Sequence, residues 1–163
     1  MIGRRQLTKA LVATVVWLCW PAVPARAAEL PSATEAALRS SDQIYVATRR
    51  RNGALSAISP IWFYYTDGKI FFSTSPGSWK AKRIAAGSPL YIWVGSENGP
   101  FLEGHAEPVT DAAFIDRMGA AYGQKYWIAW LGLFKPRGSR VAEGKTKAYL
   151  VTVTQAEPPK PAP

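Results

Sequence analysis

The chain has 163 residues, 48% of them hydrophobic and 19% charged, with a formal net charge of +9. This suits one domain with a sizeable core and excludes intrinsic disorder, which combines few apolar residues with high net charge. A single cysteine, Cys19, and a single histidine, His105, exclude an intramolecular disulfide framework, a thiolate zinc site and any mechanism needing two imidazoles.

Residues 1–27 read as an export signal. Arg4, Arg5 and Lys9 form a basic head, Ala10 to Trp20 an apolar run ended by Pro21, and Ala25-Arg26-Ala27 a small-residue cleavage site before Ala28. The run is about half of the ~20 residues that a membrane-spanning helix needs. Gly3-Arg4-Arg5-Gln6-Leu7-Thr8-Lys9 resembles a twin-arginine signal, with Leu7 where Phe is usual; an ordinary secretory signal fits as well. The expected destination is the periplasm. Trp17-Leu18 before Cys19 is too bulky for a lipoprotein site, so the cysteine leaves with the signal. With Arg4, Arg5, Lys9 and Arg26 removed, sixteen basic residues face eleven acids, a net of +5. The excess is spread along the chain, whereas nucleic-acid binding calls for a clustered stripe. It favours an anionic ligand or plain solubility.

A helical segment is predicted within residues 28–42, opened by the capping-box spacing Ser32-Ala33-Thr34-Glu35. The barrel-forming domain spans 43–154. Gln43 to Thr48 is a strand, Asn52-Gly53 a hairpin turn, and Leu55 to Tyr65 a second strand, bent at Pro60. Asp67-Gly68 turns the chain into a third strand, Lys69 to Ser73. Trp79 to Ala86 is helical and stopped by Gly87-Ser88-Pro89. Strands follow at Leu90 to Val94 and Phe101 to Val109, then a helix from Asp111 to Tyr122. Tyr126 to Phe134 is an aromatic segment, helical or irregular, and Lys145 to Thr154 a last strand. The Pro-rich tail, 155–163, reads as disordered. Six strands in short-turn order with flanking helices predict a mainly β protein, a six-stranded antiparallel barrel.

The most informative stretch is Phe71-Phe72-Ser73-Thr74-Ser75-Pro76-Gly77-Ser78-Trp79-Lys80-Ala81-Lys82. A strand delivers hydroxyl residues into a glycine-containing turn, and a helix begins with Ser78 as its N-cap. Free N–H groups at such a helix start can donate to a phosphate. Lys80 and Lys82 add charge, and Thr74, Ser75 or Ser78 can donate hydrogen bonds. A capped helix with solvated lysines is the competing reading.

These residues also carry a family resemblance. Val46-Ala47-Thr48, Asn52-Gly53, Ser59-Pro60-Ile61-Trp62-Phe63, Asp67-Gly68-Lys69-Ile70, Ser78-Trp79-Lys80-Ala81 and Glu103-Gly104-His105-Ala106-Glu107-Pro108-Val109 with Asp111 resemble, in order and spacing, the pyridoxamine 5'-phosphate oxidase-like split barrels. The resemblance covers Gln43 to Asp111 and, more loosely, Lys145 to Val153. It implies a six-stranded split β-barrel, a homodimer and two flavin sites at the subunit interface. Ser59 to Phe63 would lie along the flavin ring through backbone groups, with Ser73 and Thr74 at a strand end. The phosphate pair would fall on Trp79 and Lys80, with Ser78 and Lys82 beside it. Trp79 stands where the oxidase usually has Arg, and Ile58 and Phe63 stand where it has Arg and Lys. The C-terminal Arg-x-His that holds pyridoxal phosphate is also missing. The resemblance therefore points to FMN, or alternatively coenzyme F420 or haem, and away from oxidation of pyridoxamine phosphate itself.

No other constellation competes. His105 reads as an ordinary strand histidine, with axial haem ligation as its functional alternative, and no metal site is expected. Arg49-Arg50-Arg51 reads as a solvated hairpin end, with anion steering as its alternative. Three functions stay open: an exported flavin-dependent oxidoreductase acting on a small molecule, a non-catalytic binder of a planar ligand, and a cofactor-less dimeric interaction module.

Overall fold

Hydrophobic alternation along the strands decides which face turns inward, because successive side chains in a strand point to opposite sides. The computed structural model describes residues 29–126 and 135–156. Residues 1–28, which include the expected export signal, Trp127 to Phe134 of the aromatic segment and the end of the tail lie outside the described residues. Ten elements follow one another: α1 (Ser32–Ser40), β1 (Gln43–Thr48), β2 (Ser59–Thr66), β3 (Lys69–Thr74), α2 (Trp79–Ala85), β4 (Leu90–Val94), β5 (Phe101–Val109), α3 (Ala112–Lys125), α4 (Gly138–Ala142) and β6 (Lys147–Gln155). The strands close into an antiparallel barrel in the order β1-β2-β3-β6-β5-β4, so the predicted fold is the observed one.

Ile44 and Val46 of β1, Ile70 and Phe72 of β3, Leu90, Ile92 and Val94 of β4, and Tyr149, Val151 and Val153 of β6 fill the barrel core, with Leu38 of α1 added to it. A second cluster joins Met118 and Tyr122 of α3 and the following Tyr126 to Phe71 of β3. Gly104 sits at a register shift between β5 and β6. A Cβ there would lie 2.4 Å from the Thr152 carbonyl oxygen, so only glycine lets the two strands approach so closely.

β2 changes partners midway. Ser59 to Trp62 pair with β1, and Phe63 to Thr66 pair with β3. The β2–β3 ladder therefore ends at Phe63 and Phe72, leaving Ser59–Trp62 apart from Ser73–Thr74. On the opposite edge the β1–β2 ladder ends at Gln43, and a tyrosine hydroxyl continues the bonding. Tyr126 accepts from the Phe63 N–H at 3.2 Å and donates to the Asp42 carbonyl at 2.6 Å.

Several boundaries differ from expectation. α1 is not opened by a capping box: Pro31 occupies the N-cap, no side chain caps it, and the Glu35 carboxylate instead accepts from Arg39 and from the Tyr65 hydroxyl. β2 begins at Ser59 rather than Leu55. Leu55 makes only an isolated bridge to Arg49, and the Ser56 hydroxyl takes the Thr48 N–H, which ends regular pairing there. α3 runs on to Lys125, with Asp111 as its N-cap accepting from the Phe114 N–H. The short α4 was not foreseen; it is held where the Gly138 N–H donates to Asp116 at 2.9 Å. β6 consequently starts at Lys147.

Candidate functional site

The divergence of β2 from β3 creates two clefts along the same pair of strands. The first, about 330 Å³, is lined by Ser59 of β2, Thr74 of β3, Ser78, Trp79, Lys80 and Arg83 at α2, and Thr48, Arg50, Ser56 and Ala57 of the hairpin. The second, about 270 Å³, is lined by Pro60, Ile61 and Trp62 of β2, Ser73 of β3, Gln43 and Tyr122. Each strand thus passes from one cleft to the other within one residue, Ser59 to Pro60 and Thr74 to Ser73.

The first cleft is basic and hydroxyl-rich. Its lining holds Arg50, Lys80 and Arg83 and no carboxylate. Ser78 caps α2 by accepting from the Ala81 N–H at 3.1 Å and lies 3.3 Å from the Thr74 hydroxyl, as its N-cap position predicts. Arg83 donates to the Thr48 hydroxyl at 3.3 Å, and Thr48 in turn meets Ser56. Lys80 is half-buried, and burial lowers its ammonium to a pKa of about 8. Taking a cation out of water without an opposing charge favours its neutral form. An anion in the cleft would reverse that balance.

The second cleft is largely apolar and aromatic. Trp62 stacks on Tyr126 with ring centroids 4.4 Å apart, and its edge meets Tyr122. The Tyr122 hydroxyl donates to the Trp62 carbonyl at 2.8 Å, and burial pushes its pKa well up. A neutral phenol is thereby held at the floor of the cleft.

The structure brings together most of the residues singled out in the sequence. Ser59, Thr74, Ser78, Trp79 and Lys80 share the basic cleft, while Pro60, Ile61, Trp62 and Ser73 share the aromatic one. Two residues fall elsewhere. The Phe63 side chain is buried in the barrel core, and its backbone N–H and carbonyl are both engaged by Tyr126. Exposed Lys82 does not line the cleft; its ammonium sits 4.9 Å above the Trp79 ring. Ile58 packs against the cluster of Ala47, Tyr91 and Phe101.

Arg83 was missed, although three residues after Lys80 and four after Trp79 is the spacing that shares a helix face. Arg50, read as solvent-facing, is exposed and also lines the basic cleft. Tyr122 was read only as part of a helix. Arg49 is more than a solvated hairpin end: it bonds the Gly53 carbonyl at 3.1 Å and the Tyr91 hydroxyl. His105 is exposed on β5 opposite Thr152.

A larger groove, about 450 Å³, lies between α1, α3 and β2, but its cations are engaged. Arg39 pairs with Glu35, and Lys125 caps the Ser41 carbonyl over the Phe63 ring. Among the described residues, none of the three cations lining the basic cleft is in an ion pair.

An antiparallel six-stranded barrel, with a cation-lined cleft where one strand changes partners, is the class of protein that these features define. Residues 30–157 match the family described as pyridoxamine 5'-phosphate oxidase, and the chain belongs to that family. Three solved structures illustrate the likeness. A Clostridium acetobutylicum protein related to general stress protein 26, of the pyridoxinephosphate oxidase family, is 21% identical, with a TM-score of 0.53 over 74% of this chain and 80% of its own. An F420 reductase is 19% identical, with a TM-score of 0.53 over 77% and 97%. HutZ, the haem storage protein of Vibrio cholerae, is 12% identical, with a TM-score of 0.53 over 75% and 88%. At these identities the likeness is one of fold. No curated protein matches the chain in sequence.

Proposed function

We propose that this protein binds a phosphate-bearing planar cofactor of the FMN type, the phosphate in the basic cleft and the ring system in the aromatic one, and serves a redox role on a small molecule. The observation that carries this reading is the pairing of the two clefts. One pair of strands runs from a lining of three cations and several hydroxyls, without a carboxylate, to an apolar lining. That polarity matches a ligand with an anionic end and a flat apolar end. A bound flavin supplies hydride or electron transfer; the chain supplies binding, orientation and electrostatics. Lys80 and Arg83 face the phosphate, Ser78 and Thr74 offer hydroxyls, and Pro60 and Ile61 lie along the ring. Family membership supports the same reading, because the matched segment includes every one of these residues.

Export to the periplasm and assembly into a homodimer belong to the proposal. Export rests on the basic head, short apolar run and Ala25-Arg26-Ala27. The dimer rests on the family resemblance. Among the described residues no helix is long and apolar enough to cross a membrane.

The test is an absorbance spectrum of protein purified from its export compartment, followed by titration with FMN and with riboflavin. FMN should bind, and riboflavin, lacking the phosphate, about tenfold or more weakly, the range of a charge-assisted contact. Protein that is colourless and takes up neither flavin would end the cofactor reading and leave the interaction module. A haem Soret band would instead direct attention to His105.

A further inference from the structure

Trp79 lines the basic cleft beside Lys80, yet most of its surface is in solvent. It is 69% exposed, unusual for the largest apolar side chain, and it lines the mouth rather than the floor. Its indole is also steadied. The Lys82 ammonium lies 4.9 Å and the Arg83 guanidinium 5.7 Å from the ring centroid, both residues one turn further along α2. Such cation–π contacts orient a surface ring that would otherwise sample several rotamers.

The charge beside it exceeds what one phosphate monoester needs. Arg50, Lys80 and Arg83 line the cleft, and Lys82 stands just outside it at Trp79. None of the four is neutralised: among the described residues the ion pairs are Arg39–Glu35 and Lys145–Glu143. The cleft also has a direction. With a ring system in the aromatic cleft and its phosphate at Ser59 and Thr74, the lining around that phosphate includes the exposed Trp79.

We propose that the ligand continues through a second phosphate to a planar base lying on the Trp79 indole, making this an adenine-dinucleotide site of the FAD type rather than a mononucleotide site. The inference rests on the cofactor reading above. Lys82, outside the cleft beside the Trp79 ring, would meet the second phosphate, and Trp79 would provide an aromatic platform for the base, as aromatic side chains do for unpaired bases.

Titrations of the full protein with FMN and FAD, read by flavin fluorescence, test the inference, together with Trp79→Ala, Trp79→Phe and Lys82→Ala. FAD should bind about tenfold more tightly than FMN, the gain that one stacked base commonly supplies. Trp79→Ala should weaken FAD about tenfold more than it weakens FMN, so that the advantage is lost, and Trp79→Phe should keep most of it. Lys82→Ala should weaken FAD more than FMN. Because Trp79 and Lys82 are exposed, all three variants should unfold like the parent, which a denaturant curve checks. FMN binding as tight as FAD, or a Trp79→Ala loss equal for both, overturns the inference and leaves the cofactor reading standing. Failure of both flavins to bind overturns the two together.

Discussion

Lys80 is the residue whose chemistry is most sharply set by its surroundings, and pH is the perturbation that reads it. Burial without a carboxylate partner holds its pKa near about 8 in the free protein. A phosphate against the ammonium raises that pKa on binding, so binding takes up a proton wherever the free lysine has lost one. Between pH 7 and pH 9 the charged fraction of a group with that pKa falls from about nine-tenths to about one-tenth. FMN affinity should therefore fall about tenfold over that interval, about 1.4 kcal/mol. Below pH 7 the phosphate's own second ionisation, near about 6, would confuse the profile, so the interval is chosen to avoid it. The assay is a fluorescence titration at constant ionic strength at pH 7, 8 and 9. Lys80→Ala should bind more weakly at pH 7 and show no such slope. Lys80→Arg should recover much of the affinity and also lose the slope, because a guanidinium stays charged throughout. A flat profile for the parent protein, or an unchanged slope in Lys80→Ala, would refute the assignment of Lys80 to the anion.

The same lysine should make the free protein less stable. Its lowered pKa means that the fold penalises the ammonium, fully below about pH 8, with relief as pH rises from about 8 towards the unfolded value of 10.5. Lys80→Met should therefore raise the stability of the ligand-free protein by about 1–2 kcal/mol at pH 7, with the gain shrinking above pH 8; unfolding in urea at both pH values measures it. Tyr126→Phe removes the hydroxyl that accepts from Phe63 and donates to Asp42. It should cost about 1–3 kcal/mol with an unchanged denaturant slope, because the Phe63 N–H and the Asp42 and Phe63 carbonyls lose a partner. Gly104→Ala drives a Cβ against the Thr152 carbonyl and should lower stability by about 1–3 kcal/mol, seen as a fall in Tm.

Turn signals around short β-branched and aromatic runs were enough to find the strands at Gln43–Thr48, Lys69–Ser73, Leu90–Val94 and Phe101–Val109. The turns were equally legible. Asp67, at a φ of 50°, and Gly68, at 69°, take the left-handed backbone that an Asp-Gly turn requires. What failed was set by partners distant in sequence. Glu35 has the spacing of a capping box, but its carboxylate is claimed by Arg39 and by Tyr65, thirty residues away. Leu55 has the composition of a strand, but Ser56 takes the Thr48 N–H that a longer ladder would need. The candidate site divided along the same line. Ser78, Trp79 and Lys80 could be found because they are local to one turn and one helix. Arg83 was within reach of helical spacing, whereas Tyr122 and Gln43 reach the aromatic cleft only because α3 and β1 pack beside β2.

Where β2 changes partners, the backbone meets two opposite solutions to one problem. A strand that leaves its neighbour exposes polar groups, and buried backbone groups must find another partner. On the β1 side the chain answers internally: the Tyr126 hydroxyl bridges Asp42 and Phe63, and that edge is spent on stability. On the β3 side no such plug is inserted between Ser59 and Thr74. The gap is instead lined with Arg50, Lys80 and Arg83, like charges of which burial disfavours the Lys80 ammonium. Selection for stability alone would place an apolar side chain at Lys80, as the Lys80→Met prediction makes measurable. A half-buried cation with no internal partner makes physical sense when its partner arrives from outside.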